Sequence, residues 1–174
     1  MRLFIAINLN SDVRSRIVSM TDELRSSSKK SNFTRPENIH LTLVFIGDCD
    51  EKQTNAVKEA MNEVNFEPFT LTISGTGNFD RRGGGRIWWA GVQNNKALED
   101  IQRDLVHKIT SKGIDVDDRA YTPHITFGRD VISDKEPWRT DSFDEHVTSI
   151  DLMRSERMND ILTYKKIYEK RAGE

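Results

Sequence analysis

The segment Ile39–Phe45 reads Ile-His-Leu-Thr-Leu-Val-Phe, and its pattern recurs at Pro123–Gly128 as Pro-His-Ile-Thr-Phe-Gly. Each copy places a histidine, an apolar residue, a threonine and a second apolar residue in succession. Successive side chains of a β-strand point to opposite faces, so the histidine and threonine of each copy share one face. The apolar residues, including Leu41, Leu43 and Phe45, are expected to line the other. We predict two strands, each with its apolar back in the core and its His-x-Thr front in a cleft.

The repetition of this pattern distinguishes a site from ordinary packing. One such segment alone is better explained as a half-exposed strand that carries a histidine. Two of the four histidines of the chain, however, carry the full pattern of histidine, apolar residue, threonine and apolar residue. His146 also has a threonine two places later, but the polar Ser149 follows it. Two strands that face each other would bring two imidazoles and two hydroxyls together. We therefore take His40, Thr42, His124 and Thr126 as candidate catalytic residues.

The composition limits the class of protein and its partners. A chain of 174 residues fits one domain, or two small lobes that share a core. With 36% hydrophobic and 31% charged residues it is expected to fold, and its net charge of −2 gives no broadly basic surface. A polyanionic substrate must therefore be bound locally. The single cysteine, Cys49, and the absence of a long apolar run predict a cytoplasmic protein without a membrane segment.

Hydrophobic periodicity and capping residues divide the chain into helices and strands. Helices are predicted near residues 10–25, 50–64 and 96–112, and residues 26–32 and 131–147 are predicted to be irregular. Strands are predicted at residues 2–8, 39–45, 69–74, 87–92, 123–128, 149–157 and 161–168. Each half of the chain contributes one His-x-Thr strand. This order predicts an α+β architecture with two related lobes around a central cleft.

Paired imidazoles suit the cleavage of a phosphodiester. A neutral histidine accepts a proton from the attacking hydroxyl or water, and a protonated one donates a proton to the leaving oxygen. Threonine hydroxyls about 6–7 Å along the same strand face can donate to the non-bridging phosphate oxygens. Arg129, at the end of the second strand, can approach the same anion, although a surface salt bridge is an equally good interpretation.

Other chemistries lack essential residues. The Gly75–Asp80 turn has no third glycine, and no Gly-Lys-Ser/Thr sequence follows, which excludes the usual nucleotide-binding motifs. No set of ligands has zinc spacing, and nothing marks Cys49 as a nucleophile. We expect no metal, no cofactor and no covalent intermediate. The basic loop Asp80–Arg86 is either a mobile hairpin tip or a phosphate-steering element.

The paired motifs resemble those of the 2H phosphoesterase superfamily, and within it the bacterial and archaeal RNA 2′,3′-cyclic phosphodiesterases, also called 2′-5′ RNA ligases. The resemblance extends along nearly the whole chain. It includes Arg2–Ile7, Pro36–Leu43, Gly75–Phe79, Tyr121–Arg129, and Ser155 with Tyr164.

The resemblance implies a bilobal fold in which residues 1–174 form one domain of two interleaved lobes. Two antiparallel sheets would be related by a pseudo-twofold axis around the cleft, with helices on the outside. It also implies metal-independent hydrolysis of terminal 2′,3′-cyclic phosphates of RNA to 2′-phosphomonoesters, with ligation as a reverse activity. On this pattern His40 is the proton donor, His124 is the proton acceptor, and Thr42 and Thr126 assist them.

The chain departs from the subfamily before the first motif, where Asn32-Phe33 replaces a frequent Arg-Trp pair. Phe33 can still stack on a base. We expect Phe33, Arg35, Tyr121 and Arg129 to bind the substrate, and the protein to be a monomer. Two alternatives stay open: a 2H phosphoesterase that acts on a small cyclic nucleotide or an ADP-ribose cyclic phosphate, and a non-catalytic RNA-binding module.

Overall fold

The computed structural model describes residues 1–174 and consists of two antiparallel β-sheets with helices packed against them. Sheet A has the strand order β3-β1-β8-β9, and sheet B has the order β2-β6-β5-β4-β7. The helices are α1 (Ser11–Arg25), α2 (Glu51–Glu63) and α3 (Lys96–Ser111), with a short 3₁₀ helix at Pro36–Asn38. The strands are β1 (Arg2–Asn8), β2 (Ser28–Phe33), β3 (His40–Asp48), β4 (Phe69–Asp80), β5 (Arg86–Val92), β6 (His124–Ser133), β7 (Phe143–Val147), β8 (Ser149–Met158) and β9 (Ile161–Arg171). Each sheet therefore holds one His-x-Thr strand, β3 in sheet A and β6 in sheet B.

Alternation along the strands separates a core face from a cleft face. Leu3, Ile5 and Ile7 of β1 belong to a core of 33 buried residues that spans both sheets and the helices. Phe4 and Ala6, on the opposite face of β1, pack separately with Met153. Burial of each large aliphatic side chain stabilises the fold by about 1.5–3 kcal/mol. The core thus holds one face of each sheet and leaves the other for the site.

The helices begin where the sequence supplies polar caps. The side chain of Asn10 accepts a hydrogen bond from the backbone of Val13, and Asn95 does the same for Leu98. Asp50 and Gln53 form a reciprocal capping box at the start of α2. No helix is long and apolar enough to cross a membrane.

Two segments predicted to be irregular contain strands, so the prediction was wrong there. Ser28–Phe33 forms the edge strand β2, which pairs with β6 although its central residues are all exposed. Phe143–Val147 forms β7, whose buried face includes Glu145. The Glu145 carboxylate accepts hydrogen bonds of 3.1 and 3.2 Å from the backbone N–H of Asn10. The β6 strand also continues beyond the predicted end, to Ser133.

The predicted orientation of Phe45 was also wrong. Strict alternation from Thr42 would place Val44 in the cleft and Phe45 in the core. In the structure Val44 is buried, whereas Phe45 is 49% exposed and lies opposite Phe4 of β1. The pairing of β1 with β3 shifts register at two points, and such irregularities redirect the side chains that follow them. An aromatic side chain is thereby moved from the core face to the cleft face.

Candidate active site

The first candidate histidine is held by the backbone that precedes it. His40 Nδ1 lies 2.6 Å from the carbonyl oxygen of Asn38, and its Nε2 lies 2.9 Å from Thr42 Oγ1. A carbonyl oxygen only accepts hydrogen bonds, so Nδ1 carries the proton and Nε2 is left for proton transfer. The side chain of buried Asn38 donates to the carbonyl of Leu162 at 3.0 Å, which attaches this turn to β9.

The second candidate histidine repeats this arrangement in the other sheet. His124 Nδ1 lies 2.7 Å from the carbonyl oxygen of Thr122, again two residues earlier in the chain. The same reasoning assigns the proton to Nδ1 and leaves Nε2 available. The two motifs therefore hold their imidazoles in the same tautomer by the same backbone contact.

The surroundings of His40 disfavour its charged form in the free protein. Its ring packs against Phe4 and Tyr164, with centroids 4.9 and 5.3 Å away. This burial lowers the pKa of His40; the hydrogen bond to the Asn38 carbonyl opposes the shift, and the charge of Arg129 adds to it. An anion bound beside Arg129 would cancel the last contribution and favour the imidazolium.

His124 lies among a different pair of aromatic rings. The centroids of Phe79 and Trp89 are 5.3 and 6.3 Å from that of His124. The Trp89 indole lies directly on the backbone of Gly77, where an added Cβ would be 2.1 Å from the ring. Glycine at position 77 therefore allows the indole to lie beside the histidine.

A cleft of about 550 Å³ opens beside the first motif. His40 and Thr42 form part of its wall, and Arg129 reaches it from sheet B. The remaining wall comes from sheet A. His124 and Thr126 do not line this cavity, but they lie on β6, which contacts β3 directly. The structure thus brings the two motif strands together and places Arg129 beside the first motif.

Tyr121 links the two motifs. Its partly buried hydroxyl donates a hydrogen bond of 2.7 Å to the backbone carbonyl of Thr42, 79 residues earlier. Burial raises the pKa of this phenol well above its ordinary value, so it stays a donor. The bond ties the approach to β6 in sheet B to β3 in sheet A. The predicted role of Tyr121 in substrate binding stays a prediction.

Phe33 and Arg35 lie outside the cleft that His40 lines. Phe33 packs against the main core, and the guanidinium of Arg25 lies 4.8 Å from its ring centroid. Arg35 is paired with Glu37. In the basic loop, Arg81 lies 3.1 Å from Asp130 and Arg86 lies 3.1 Å from Asp80.

Sequence reasoning missed several residues that shape the site. Asn38 supplies the carbonyl that orients His40, a backbone role that no residue type reveals. Phe4 and Tyr164 surround the same imidazole. Phe4 is detectable in retrospect, because alternation along β1 places it on the face opposite Leu3 and Ile5.

Two antiparallel sheets that each carry one His-x-Thr strand and that contact each other through those strands are the arrangement expected of a phosphoesterase of the two-histidine class. Residues 7–89 match the family model described as LigT like Phosphoesterase. The chain is 33% identical over 130 residues to the RNA 2′,3′-cyclic phosphodiesterase of Methanothermobacter thermautotrophicus, covering 74% of this chain and 70% of that protein. It is 31% identical over 129 residues to the enzyme of the same name from Archaeoglobus fulgidus, covering 74% and 72%. The chain belongs to the LigT-like family of 2H phosphoesterases, which confirms the resemblance seen in the sequence.

Solved structures share the whole fold. The crystal structure of Escherichia coli LigT in its apo form superposes with a TM-score of 0.86 at 23% identity, covering 99% of this chain and 98% of that one. The complex of E. coli LigT with 3′-AMP gives a TM-score of 0.82 at the same identity and coverage. These similarities confirm the α+β fold of two antiparallel sheets.

Proposed function

We propose that this protein hydrolyses 2′,3′-cyclic phosphate ends of RNA to 2′-phosphomonoesters. The observation that carries the proposal is the pair of imidazoles, each held with Nδ1 on a backbone carbonyl and Nε2 left for proton transfer. Relatives named RNA 2′,3′-cyclic phosphodiesterase, 31–33% identical over 74% of the chain, support the same substrate.

In the proposed reaction His124 Nε2 accepts a proton from water as the water oxygen attacks phosphorus. The bond between phosphorus and the 3′ oxygen breaks, and His40 Nε2–H donates its proton to that oxygen. A free 3′ hydroxyl and a 2′-phosphate result. General acid and general base catalysis are each worth about 10²- to 10⁴-fold. The assignment of the two roles follows the family resemblance.

Thr42, Thr126 and Arg129 are proposed to hold the phosphate. In the free protein the Thr42 hydroxyl donates to His40 Nε2 at 2.9 Å, so the two side chains satisfy each other until substrate arrives. When His40 is protonated, its Nε2–H becomes a donor and the hydroxyl is released towards a phosphate oxygen. Arg129, which has no carboxylate partner, supplies a permanent positive charge beside the anion.

Substrate binding is proposed to charge the acid. Burial lowers the pKa of His40 and so disfavours, in the free protein, the charged form that a proton donor needs. The phosphate of the substrate would screen Arg129 and attract a proton to the imidazole. The rate is therefore expected to depend on pH as a bell-shaped curve, with one histidine neutral and the other charged.

The test is hydrolysis of an RNA oligonucleotide that ends in 2′,3′-cyclic phosphate, in the presence of EDTA. We expect a 2′-phosphate product from the wild type, and a loss of at least about 100-fold in His40→Ala and in His124→Ala. His107→Ala, which removes an exposed histidine of α3, is the matched control and should retain full activity.

The outcomes separate the alternatives. Dependence on added metal, or near-normal rates in either variant, would contradict the two-histidine mechanism. RNA that binds without turnover would indicate a non-catalytic module. If a cyclic mononucleotide or ADP-ribose cyclic phosphate is hydrolysed faster than the oligonucleotide, the substrate is a small molecule and not an RNA end.

We further propose that the protein acts as a monomer in the cytoplasm and that it also ligates RNA ends, with a 5′ hydroxyl in place of water attacking phosphorus as the bond to the 3′ oxygen breaks. Light scattering tests the oligomeric state, and cell fractionation tests the location. Incubation of an RNA that ends in 2′,3′-cyclic phosphate with an RNA that has a 5′ hydroxyl tests ligation. A dimer at micromolar concentration would refute the monomeric state, and recovery of the protein outside the cytoplasm would refute the proposed location.

A further inference from the structure

The cleft continues beyond His40 and Thr42 across sheet A. We call this extension the outer pocket and define it by Arg2 of β1, Phe45 of β3, Arg157 of β8 and Leu162 of β9. All four line the same cavity as the candidate catalytic residues, so a ligand in the outer pocket is continuous with a phosphate at the first motif.

Phe45 presents an aromatic face to this cavity. It is 49% exposed, because the register shift between β1 and β3 turns it away from the core. The guanidinium of Arg2 lies 5.2 Å from its ring centroid. An exposed aromatic ring supported by a guanidinium resembles the stacking surfaces that bind single-stranded nucleic acid.

The outer pocket is also positively charged. Arg2 and Arg157 line it, and neither forms an ion pair with a carboxylate. The acid in the wall, Glu156, is paired with Arg154 at 3.1 Å. Arg157 donates one hydrogen bond of 3.0 Å to the carbonyl of Asp160, which holds it against the β8–β9 turn and leaves its other donors free. A chain with a net charge of −2 thus keeps two guanidiniums for an anion here.

We propose that the outer pocket binds the terminal nucleoside of the RNA, with its base stacked on Phe45 and its 5′ phosphodiester on Arg157. The proposal rests on the proposed function, since it takes the cyclic phosphate to lie at His40 and Thr42. The base and the 5′ carbon of a nucleoside lie on the same face of the ribose, opposite the 2′ and 3′ oxygens, so one pocket beside the cyclic phosphate can contact both. The protein would thus recognise both the terminal base and the polarity of the strand.

The test measures binding of two product analogues at fixed salt, so that it does not depend on turnover. One is adenosine 2′-phosphate, which has a base and no 5′ phosphodiester. The other is an adenosine tetranucleotide with a 2′-phosphate end. Phe45→Ala should weaken both about tenfold, because both stack a base. Arg157→Gln should weaken only the tetranucleotide and should lower the salt dependence of its binding by about one charge.

Controls separate folding from recognition. Phe45→Leu keeps the apolar volume but removes the aromatic face, and it should lose binding as Phe45→Ala does. Arg103→Gln on α3 and Ile161→Ala, which is 47% exposed, lie outside the cleft and should bind normally. All variants should melt at the temperature of the wild type.

The proposal would be overturned if Phe45→Ala bound the ligands as tightly as the wild type does. It would also be overturned if Arg157→Gln weakened the binding of both ligands equally. Absence of binding of either ligand to the wild type would overturn it as well. If the wild type binds both ligands and the variants behave as expected but cyclic ends are not hydrolysed, the outer pocket stands and the proposed enzymatic function fails.

Discussion

The hydrogen bond from Tyr121 to the Thr42 carbonyl predicts the effect of Tyr121→Phe. The substitution keeps the partly buried ring and removes only the hydroxyl, which lies 2.7 Å from the carbonyl oxygen. A buried hydrogen bond contributes about 0.5–1.5 kcal/mol net, and an acceptor left without its partner adds to the loss. We expect the free energy of unfolding to fall by about 1–1.5 kcal/mol. For a domain of this size each kcal/mol lowers the melting temperature by about 2–4 °C.

Tyr121→Phe should lower kcat by more than its loss of stability explains. The bond joins the backbone of the first motif to the segment that leads into the second, so its loss loosens the relative position of the two imidazoles. Small misplacements of catalytic groups are costly, and we expect kcat to fall about tenfold with little change in KM. Urea unfolding and steady-state hydrolysis of cyclic phosphate RNA measure the two effects.

Tyr168→Phe is the matched control. Its hydroxyl donates to the side chain of Asn62 on α2, and its ring packs against the main core, away from the cleft. Because its hydrogen bond is exposed to solvent, it should lose no more stability than Tyr121→Phe, and it should keep its kcat. If Tyr121→Phe and Tyr168→Phe have the same kcat, or if Tyr121→Phe unfolds at the wild-type urea concentration, the proposed link between the motifs is refuted.

Three further predictions concern His40, Thr126 and Asp151. In the free protein the pKa of His40, measured by NMR titration, should lie below the ordinary value of about 6.5, because burial lowers it. Arg129→Gln should raise this pKa by removing a positive charge, and a wild-type pKa at or above the ordinary value would contradict the predicted effect of burial. Thr126→Val should lower kcat by about 10²-fold or more, because it removes a hydrogen-bond donor to the charge that develops in the transition state, whereas Thr126→Ser should retain most activity. Equal rates for the two variants would exclude a role for the hydroxyl. Burial raises the pKa of Asp151, whose Oδ1 has no hydrogen-bond partner. The contribution of this carboxyl to folding stability is therefore present below its pKa in the unfolded chain, near 3.9, and is lost as the pH rises through its pKa in the folded protein. Relative to wild type, Asp151→Asn should therefore be more stable at pH 7 than at pH 3.5. The same difference at both pH values in urea unfolding would show that burial does not shift the pKa of this carboxyl.

The sequence predicted those elements whose pattern follows from local chemistry. The three helices have polar caps and apolar stripes, and both motif strands alternate cleanly over His-x-Thr. The β2 strand was missed because its exposed residues carry no hydrophobic alternation, so only its pairing with β6 defines it. The β7 strand was missed because Glu145 occupies a buried position that a carboxylate normally avoids.

The residues of the candidate site could be predicted from the sequence, whereas the side chains that surround them could not. His40, Thr42, His124 and Thr126 were identified because their spacing matches the period of a strand. Phe45 was assigned to the wrong face because a register shift depends on the partner strand. The contact between Arg129 and the cleft that His40 lines depends on how two sheets meet, which no local pattern encodes.

The two backbone carbonyls that orient the histidines also determine which positions near the site can change during evolution. A carbonyl oxygen is present whatever the side chain, so position 122 can accept many residues without disturbing the tautomer of His124. Position 38 is more constrained, because the Asn38 amide also anchors its turn to Leu162. Among relatives we therefore expect wide variation two residues before the second histidine and little before the first, although both positions orient an imidazole in the same way.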